Sequence, residues 1–398
     1  MSYLPLKIYE YNNHGGSASE YERRYCCDDA KHIDINIGPN RAFFVETREI
    51  RKQALDLYKK DKKLAKLFCS LPVDAMAQYM IKSLVDEIQI TNSIEGVHST
   101  KQEIRAAYDN KGVRFRGIVD KYRLLMSGKK TALTSCKDMR SLYDDLVLPE
   151  VLEESPKDRP DGKVFRKERV RIYGHNLEPI HEGVYPEEEI ISTMTAALEY
   201  LNNEEEELLY RVSVFHYLLG YIHPFYNGNG RLNRFISSYM LTGAFEPLLG
   251  YRLSYAVKDN QSKYIRAFNE CNDEDNRGEL TMFVEMFLNI LTESMDSLIE
   301  DLELKKYAWN RYYGAIPLLP FGSDKYYPTV YRELILHELF APEGIGMSEL
   351  QETTDISAPT LRKLLKSINE AGLLKIDKAG KRLVYGIDLK KTDGSISQ

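Results

Sequence analysis

Apolar residues recur at helical spacing over most of the chain, and residue chemistry marks where the runs break. From residue 47, Ile50, Ala54, Leu57, Leu64 and Leu67 fall near one helix face, and Leu71-Pro72 stops the run. A second helix begins near Asp74 and carries Met80, Leu84, Ile88 and Ile90. It ends in Thr91-Asn92-Ser93-Ile94-Glu95-Gly96, where Gly96 reads as a C-cap. Thr100-x-x-Glu103 is a capping box that opens the next helix. Residues 111–145 stay helix-rich around Ile118, Tyr122, Leu125, Leu133 and Leu142-Tyr143. Residues 149–167, with Pro156, Pro160 and Gly162, read as a loop. Val170, Ile172 and Tyr173, then Gly183-Val184-Tyr185, are extended runs about a Gly174-His175-Asn176 turn and predict a β-hairpin. Pro186 at N1, followed by Glu187, Glu188 and Glu189, starts a helix with Ile190, Met194, Ala197, Leu198 and Leu201 inward. Glu204 to Glu207 then give an acidic first turn to a helix with Leu208, Val212, Phe215, Leu218 and Leu219.

The two ends of the chain differ from this middle. Residues 1–45 mix Tyr, Gly and Asn with alternations such as Ile33-Asp34-Ile35-Asn36-Ile37, and predict an irregular arm with a strand or two. After a buried helix at 235–241, a long helix from 279 to about 306 carries Phe283, Met286, Phe287, Ile290, Leu291 and Met295 and closes a bundle. A loop with Pro317, Pro320 and Gly322 follows. Beyond it come helices at 330–340, 348–354 and 359–371, and strands at 373–377 and 382–387 around Lys378-Ala379-Gly380-Lys381. That order looks like a winged helix-turn-helix. The expected fold is therefore mainly α, in three parts: an N-terminal arm and helix (1–73), a helical bundle with a β-hairpin (74–312) and a winged helix (325–390).

Composition narrows the function classes. The 398 residues are 43% hydrophobic and 29% charged, those of an ordinary globular protein, and the net charge of -6 argues against nucleic-acid binding by the whole surface. A local basic face remains, since Arg362, Lys363, Lys366, Lys375, Lys378, Lys381 and Arg382 cluster on the third helix and hairpin of the winged region. Such a face suits DNA phosphates, and winged helices also serve as protein contacts. Cys26, Cys27, Cys69, Cys136 and Cys271 are scattered without metal-ligand spacing and read as reduced thiols. With no signal-like N-terminus and no membrane span, the expected location is cytoplasmic.

The chemistry concentrates in His223-Pro224-Phe225-Tyr226-Asn227-Gly228-Asn229-Gly230-Arg231-Leu232-Asn233-Arg234. Proline and the glycines predict a tight loop opening a helix, whose unpaired N–H groups attract phosphate. Arg231 and Arg234 lie one turn apart and fork onto phosphate oxygens. A neutral His223 beside that cradle is a candidate general base. On the residues alone, Glu95 is most simply a solvated carboxylate at a helix end. His216, on an apolar helix, reads as a satisfied core histidine.

The stretch resembles the signature of the Fic-domain family, His-Pro-Phe-x-(Asp/Glu)-Gly-Asn-Gly-Arg-x-x-Arg, and matches every fixed position except Asn227, where the family has an acid. Thr91-x-x-x-Glu95-Gly96 is similar to the family's inhibitory motif, (Ser/Thr)-x-x-x-Glu-(Gly/Asn), here in its N-terminal placement. The resemblance covers about residues 74 to 300. It implies an autoinhibited adenylyltransferase that moves AMP from ATP to a Tyr, Thr or Ser hydroxyl of a target protein docked on the hairpin flap. It implies His223 as catalytic base, Gly228, Asn229 and Gly230 as N–H donors to the phosphates, and Arg231 on the β-phosphate. It also implies Arg234 on the γ-phosphate once Glu95 releases it, Phe225 facing inward, and Tyr264 at the adenine. The family acid holds Mg²⁺; an amide oxygen is a weaker ligand for a hard cation, so Mg²⁺ or Mn²⁺ at Asn227 is expected to be held mainly by the phosphates. Slow transfer, a different transferred group, and binding without turnover stay open. A homodimer is an assembly the resemblance allows. The alternative class is a nucleotide-sensing DNA-binding regulator.

Overall fold

The computed structural model describes every residue except 1–2, 113, 128–132, 174–178, 342, 380–381 and 397–398. Among the described residues the chain is mostly helical, with small antiparallel sheets. It divides into two compact units, residues 1–61 with 84–296 and residues 62–83 with 297–398. The divisions between these units fall inside the helices Arg48–Cys69, Val73–Ile94 and Thr281–Gly314.

The first unit is built around the helix Leu208–Ile222, apolar on nearly every face and therefore buried by its neighbours. The helices Glu187–Asn202 and Asn229–Thr242 pack against it. Thr100 and Ser135 each close a capping box at the starts of Lys101–Tyr108 and Cys136–Leu146. Pro186, expected at N1, is instead the residue before the helix. The Glu187 carboxylate leaves the helix end to accept the backbone N–H groups of Lys163, Val164 and Phe165 at 3.0, 2.8 and 2.9 Å. The flap strands Arg171–Tyr173 and Pro179–Glu182 pair antiparallel, so the second strand lies before the Gly183-Val184-Tyr185 run expected to form it, and the Gly174-His175-Asn176 turn lies outside the described residues.

Three sequence expectations change. The N-terminal arm is two helices, Leu6–Asn13 and Ser17–Tyr25, followed by the hairpin Ala30–Ile37 and Asn40–Val45. Its anchor is Arg24, 4% exposed, which donates to Glu279 Oε2 at 2.9 Å, Glu20 Oε1 at 2.7 Å and the Leu4 carbonyl at 2.9 Å. A buried charge is tolerated when paired in this way, but the partner at 279 is invisible to local pattern. Residues read as loop after 149 form the helix Leu148–Glu154, because Pro149 sits in its first turn, where a missing N–H costs nothing. The long bundle helix runs to Gly314.

The second unit contains the helices Tyr327–Phe340, Met347–Thr354 and Ala358–Glu370, then the hairpin Leu374–Ala379 and Arg382–Ile387. A two-residue strand, Ile345–Gly346, pairs with Arg382–Ile387 and completes a sheet. The helix Ala358–Glu370 buries Leu361, Leu364, Leu365 and Ile368 and leaves Arg362, Lys363 and Lys366 exposed. Lys378 and Arg382 are also exposed, and Lys381 lies outside the described residues. Among the described residues no helix is long and apolar enough to cross a membrane.

Candidate active site

The helix Leu208–Ile222 ends at His223, whose backbone takes the left-handed conformation (φ 52°, ψ 62°). Proline at 224 then turns the chain into a loop folded on its own side chains. Phe225 is fully buried and stacks on Tyr143, with centroids 3.6 Å apart, and meets Phe165 edge-on at 5.4 Å. The Asn229 side chain closes the loop over it, accepting from the Phe225 N–H at 3.0 Å and donating to the Phe225 carbonyl at 2.8 Å. Gly228 has φ 79° and precedes the helix Asn229–Thr242; a Cβ there would press on Val147 at 3.1 Å and Val151 at 3.3 Å. Glycine is needed on both counts.

The Gly228 N–H, expected as a phosphate donor, is instead donated to Asn227 Oδ1 at 2.6 Å. The N–H groups of Asn229, Gly230 and Arg231 open the helix, where the intrahelical ladder supplies no acceptor. Arg231 is 1% exposed, and its Nε and Nη2 have no hydrogen-bond partner among the described residues. A buried guanidinium with free N–H groups is costly unless an anion completes it.

One anion already lies over this helix start. The Glu95 carboxylate receives Arg234 Nη2 at 2.7 Å, and Arg234 Nε and Nη2 also bond Thr91 Oγ1 at 2.7 Å and the Thr91 carbonyl at 3.2 Å. Glu95 Oε1 occupies the space where a Gly230 Cβ would be. The residue is held there by a turn after the helix Val73–Ile94, with Glu95 N–H on the Asn92 carbonyl at 3.1 Å and Gly96 at φ 74°. Burial opposes its charge, but Arg234, Arg231 and His223 together hold its carboxyl below the ordinary range.

Burial pushes the His223 imidazole down to about 4, the charge of Arg166 pushes the same way, and Glu95 opposes. His223 is therefore neutral at physiological pH, as a general base must be. Tyr264 shares a hydrogen bond of 2.7 Å with His216 Nε2, and His216 Nδ1 shares another of 2.7 Å with Ser237. Burial takes His216 down to about 3, so this histidine is a neutral bridge. Tyr264 lies within electrostatic reach of Arg234 and Glu95.

Two groups had no role in the sequence reading. Arg166 is fully buried, with no ion-paired carboxylate among the described residues, and donates to the carbonyls of His223 at 2.9 Å, Glu168 at 2.6 Å and Val184 at 2.8 Å. It thus ties the His223 backbone to the chain leaving the flap. Gly183 makes room for it, since a Cβ there would come within 2.6 Å of Arg166 Nη2. Asp158 Oδ2 accepts from Asn227 Nδ2 at 3.5 Å. Neither is found by periodicity, because one bonds backbone and the other contacts a residue 69 positions away.

Residues 135–241 match the model of the Fic/DOC family. The chain carries a Fic domain. Of the residues discussed, Asp158, Arg166 and the whole loop from His223 to Arg234 lie inside the matched span, and Thr91, Glu95, Gly96 and Tyr264 lie outside it. The chain is 27% identical over 160 residues to the protein adenylyltransferase Fic of Drosophila sechellia, covering 38% of this chain and 29% of that protein. It is 28% identical over 139 residues to the corresponding protein of Drosophila willistoni, covering 34% and 25%. The match thus spans under a third of these curated relatives. A Fic family protein from Desulfovibrio desulfuricans shares the fold, at a TM-score of 0.51 and 19% identity, over 86% of this chain and 96% of that one. The helical architecture around the Fic domain is therefore that of a Fic-family structure.

Proposed function

We propose that the protein is an autoinhibited adenylyltransferase that transfers AMP from ATP to a Tyr, Thr or Ser hydroxyl of another protein. The observation that carries this reading is a carboxylate seated where an anion belongs. Glu95 lies against Gly230 and on Arg234, while the neighbouring Arg231 keeps unpaired N–H groups. In the transfer, neutral His223 takes the proton of the acceptor hydroxyl. The freed oxygen bonds to the α-phosphorus, the bond from that phosphorus to the bridging oxygen breaks, and pyrophosphate leaves. The N–H groups of Asn229 and Gly230 and the Arg231 guanidinium bear the growing phosphate charge. Arg234 takes the γ-phosphate once Glu95 lets go. Arg166 holds the His223 carbonyl, and with it the direction of the imidazole.

Among the described residues no group of three or more His, Cys, Asp or Glu side chains could hold a metal ion by itself. The oxygen donors beside the loop, the Asn227 amide and a nearby carboxylate, fit a hard divalent cation that takes its other ligands from phosphates. Bound there, Mg²⁺ or Mn²⁺ would neutralise phosphate charge. The flap strands would hold a target segment by strand addition.

Incorporation of α-labelled ATP into protein tests the reading: Glu95→Gly should raise it and His223→Ala should abolish it. No labelling from any variant with Mg²⁺ or Mn²⁺ would sink it. A second reading, a nucleotide-sensing DNA-binding regulator, draws on the order of helices and hairpin after residue 327, which we read as a winged helix. Its third helix turns Arg362, Lys363 and Lys366 outward, opposite its apolar face.

A further inference from the structure

The residue at the metal-binding position of the signature is an amide with both ends occupied. Asn227 Oδ1, the atom that could ligate a cation, accepts from Gly228 N–H at 2.6 Å, and Nδ2 faces Asp158 Oδ2 at 3.5 Å. The acid that Asn227 touches is therefore Asp158, on a different segment.

That segment is well fixed. Asp158 ends a single 3₁₀ turn, Pro156–Asp158, directly after the helix Leu148–Glu154, whose Val151 forms part of the floor under Gly228. The Asp158 N–H bonds the Ser155 carbonyl at 3.0 Å. Downstream, Asp161 accepts from the Tyr226 hydroxyl and the Lys167 N–H, both at 2.9 Å, so the loop meets the signature at adjacent residues 226 and 227. Asp158 is half-buried, and no described Lys or Arg forms an ion pair with it. The Tyr143 hydroxyl, which donates to the Asn227 carbonyl at 3.1 Å, lies within electrostatic reach of Arg231, of the Asp144 and Arg140 pair, and of Asp158. Arg140 and Asp144 pair with each other, which leaves Asp158 and Arg231 as the charges around this phenol that have no ion-pair partner among the described residues.

This is the charge arrangement that a cation bound to phosphates requires: an oxygen anion for the metal and a cation for the phosphates. It also accounts for the amide. A carboxylate at 227 would repel Asp158, whereas the amide N–H donates to it. We propose that Asp158 supplies the metal-binding carboxylate of this site and that Asn227 orients it, so that Mg²⁺ or Mn²⁺ binds between Asp158 and the nucleotide phosphates. Metals of this kind take one or two protein carboxylates and complete their shell with phosphates and water. The assignment rests on the proposal that the site takes an adenine nucleotide.

The test is Mn²⁺ binding followed by electron paramagnetic resonance of the free ion, with full-length protein and α,β-methylene-ADP. This nucleotide lacks the γ-phosphate that Glu95 would exclude. Its own affinity is measured separately in EDTA. Asp158→Asn should weaken Mn²⁺ binding at least about tenfold, as losing even an outer-shell partner does at metal sites, and leave nucleotide affinity in EDTA unchanged. Asp161→Asn, on the same loop, should keep Mn²⁺ affinity. Restoring an acid in the double variant Asp158→Asn, Asn227→Asp should recover it. If Asp158→Asn binds Mn²⁺ as the parent does while the nucleotide still binds, the assignment falls and the nucleotide reading stands. If the parent binds no nucleotide with or without Mn²⁺, both fall.

Discussion

Replacing Glu95 should open the site to ATP and leave ADP nearly indifferent. The perturbation removes one carboxylate, 22% exposed, from a 2.7 Å contact with Arg234, which is 4% exposed. A hydrogen bond to a charged group contributes about 1.5–3 kcal/mol net. That sum is what a γ-phosphate must overcome to displace Glu95. Removing it should tighten ATP roughly 10- to 150-fold, because the fraction of open protein divides directly into the apparent Kd. Arg234 does not collapse on losing Glu95, since its two bonds to Thr91 remain. The variant without ligand should lose stability by about the same 1.5–3 kcal/mol, and ATP should restore more of it than in the parent. Calorimetric titration of Glu95→Gly with a non-hydrolysable ATP analogue and with ADP gives the two affinities. Glu95→Gln, which keeps the shape without the charge, should fall between. Equal gains for ATP and ADP, or none for either, would refute the argument. Acidity offers no substitute for the mutation. The Glu95 carboxyl lies below its ordinary range, so its contribution is complete above the ordinary value and is lost only as pH falls through the depressed one.

Four further outcomes are expected. Arg166→Met strands the carbonyls of His223, Glu168 and Val184 and should cost about 3 kcal/mol or more in urea unfolding. Arg166→Gln, which retains a donor without the charge, should move the acid limb of the transfer rate to higher pH, since the charge helps keep His223 deprotonated. His216 is held near 3 by burial and His223 near 4, so between those values and 6.5 the unfolded chain binds protons that the folded one refuses. Stability must therefore fall as pH drops from 6.5, by about 2 kcal/mol at pH 5 for His216 alone, and His216→Asn should flatten the drop. If the winged-helix reading extends to DNA, reversing charge at Arg362 and Lys363 should weaken DNA binding and flatten its dependence on salt; no binding at low salt removes that reading.

Legibility in the sequence followed the range of the interaction. Helices with their own caps and stripes, such as Lys101–Tyr108 behind Thr100-x-x-Glu103, are written locally. The N-terminal helices are not, since Arg24 finds Glu279 across 255 positions. Glu95 shows the same limit from the other side. Read by charge alone it is an unremarkable helix-end acid, and only a motif links it to Arg234, which the structure puts 2.7 Å away. Arg166 escapes both routes because its partners are backbone carbonyls, which every sequence supplies. Glu187 looked like one of three acids on a helix dipole, yet it alone leaves the helix to hold three N–H groups of the preceding loop.

If the site takes an adenine nucleotide as proposed, the charges around the cradle should make it discriminate by phosphate number. Arg231 and Arg234 bring two positive charges into a buried space, and Glu95 returns one negative charge, to Arg234. Two further acids near the arginines, Glu150 beside Arg231 and Glu87 within reach of Arg234, are 5% and 1% exposed, and burial raises both carboxyls, Glu87 to about 7, so they are reluctant counterions. Arg231 is left with open N–H groups and incomplete neutralisation. On the proposed reading the Arg231 end gains by meeting an inner phosphate, while the Arg234 end must first give up Glu95 to meet an outer one. ADP should bind the parent protein more tightly than ATP, and removing Glu95 should invert that order, because the third phosphate then meets an arginine that lacks its partner. A parent that prefers ATP, measured in EDTA to keep metal out of the comparison, would mean that Glu95 does not occupy the outer seat.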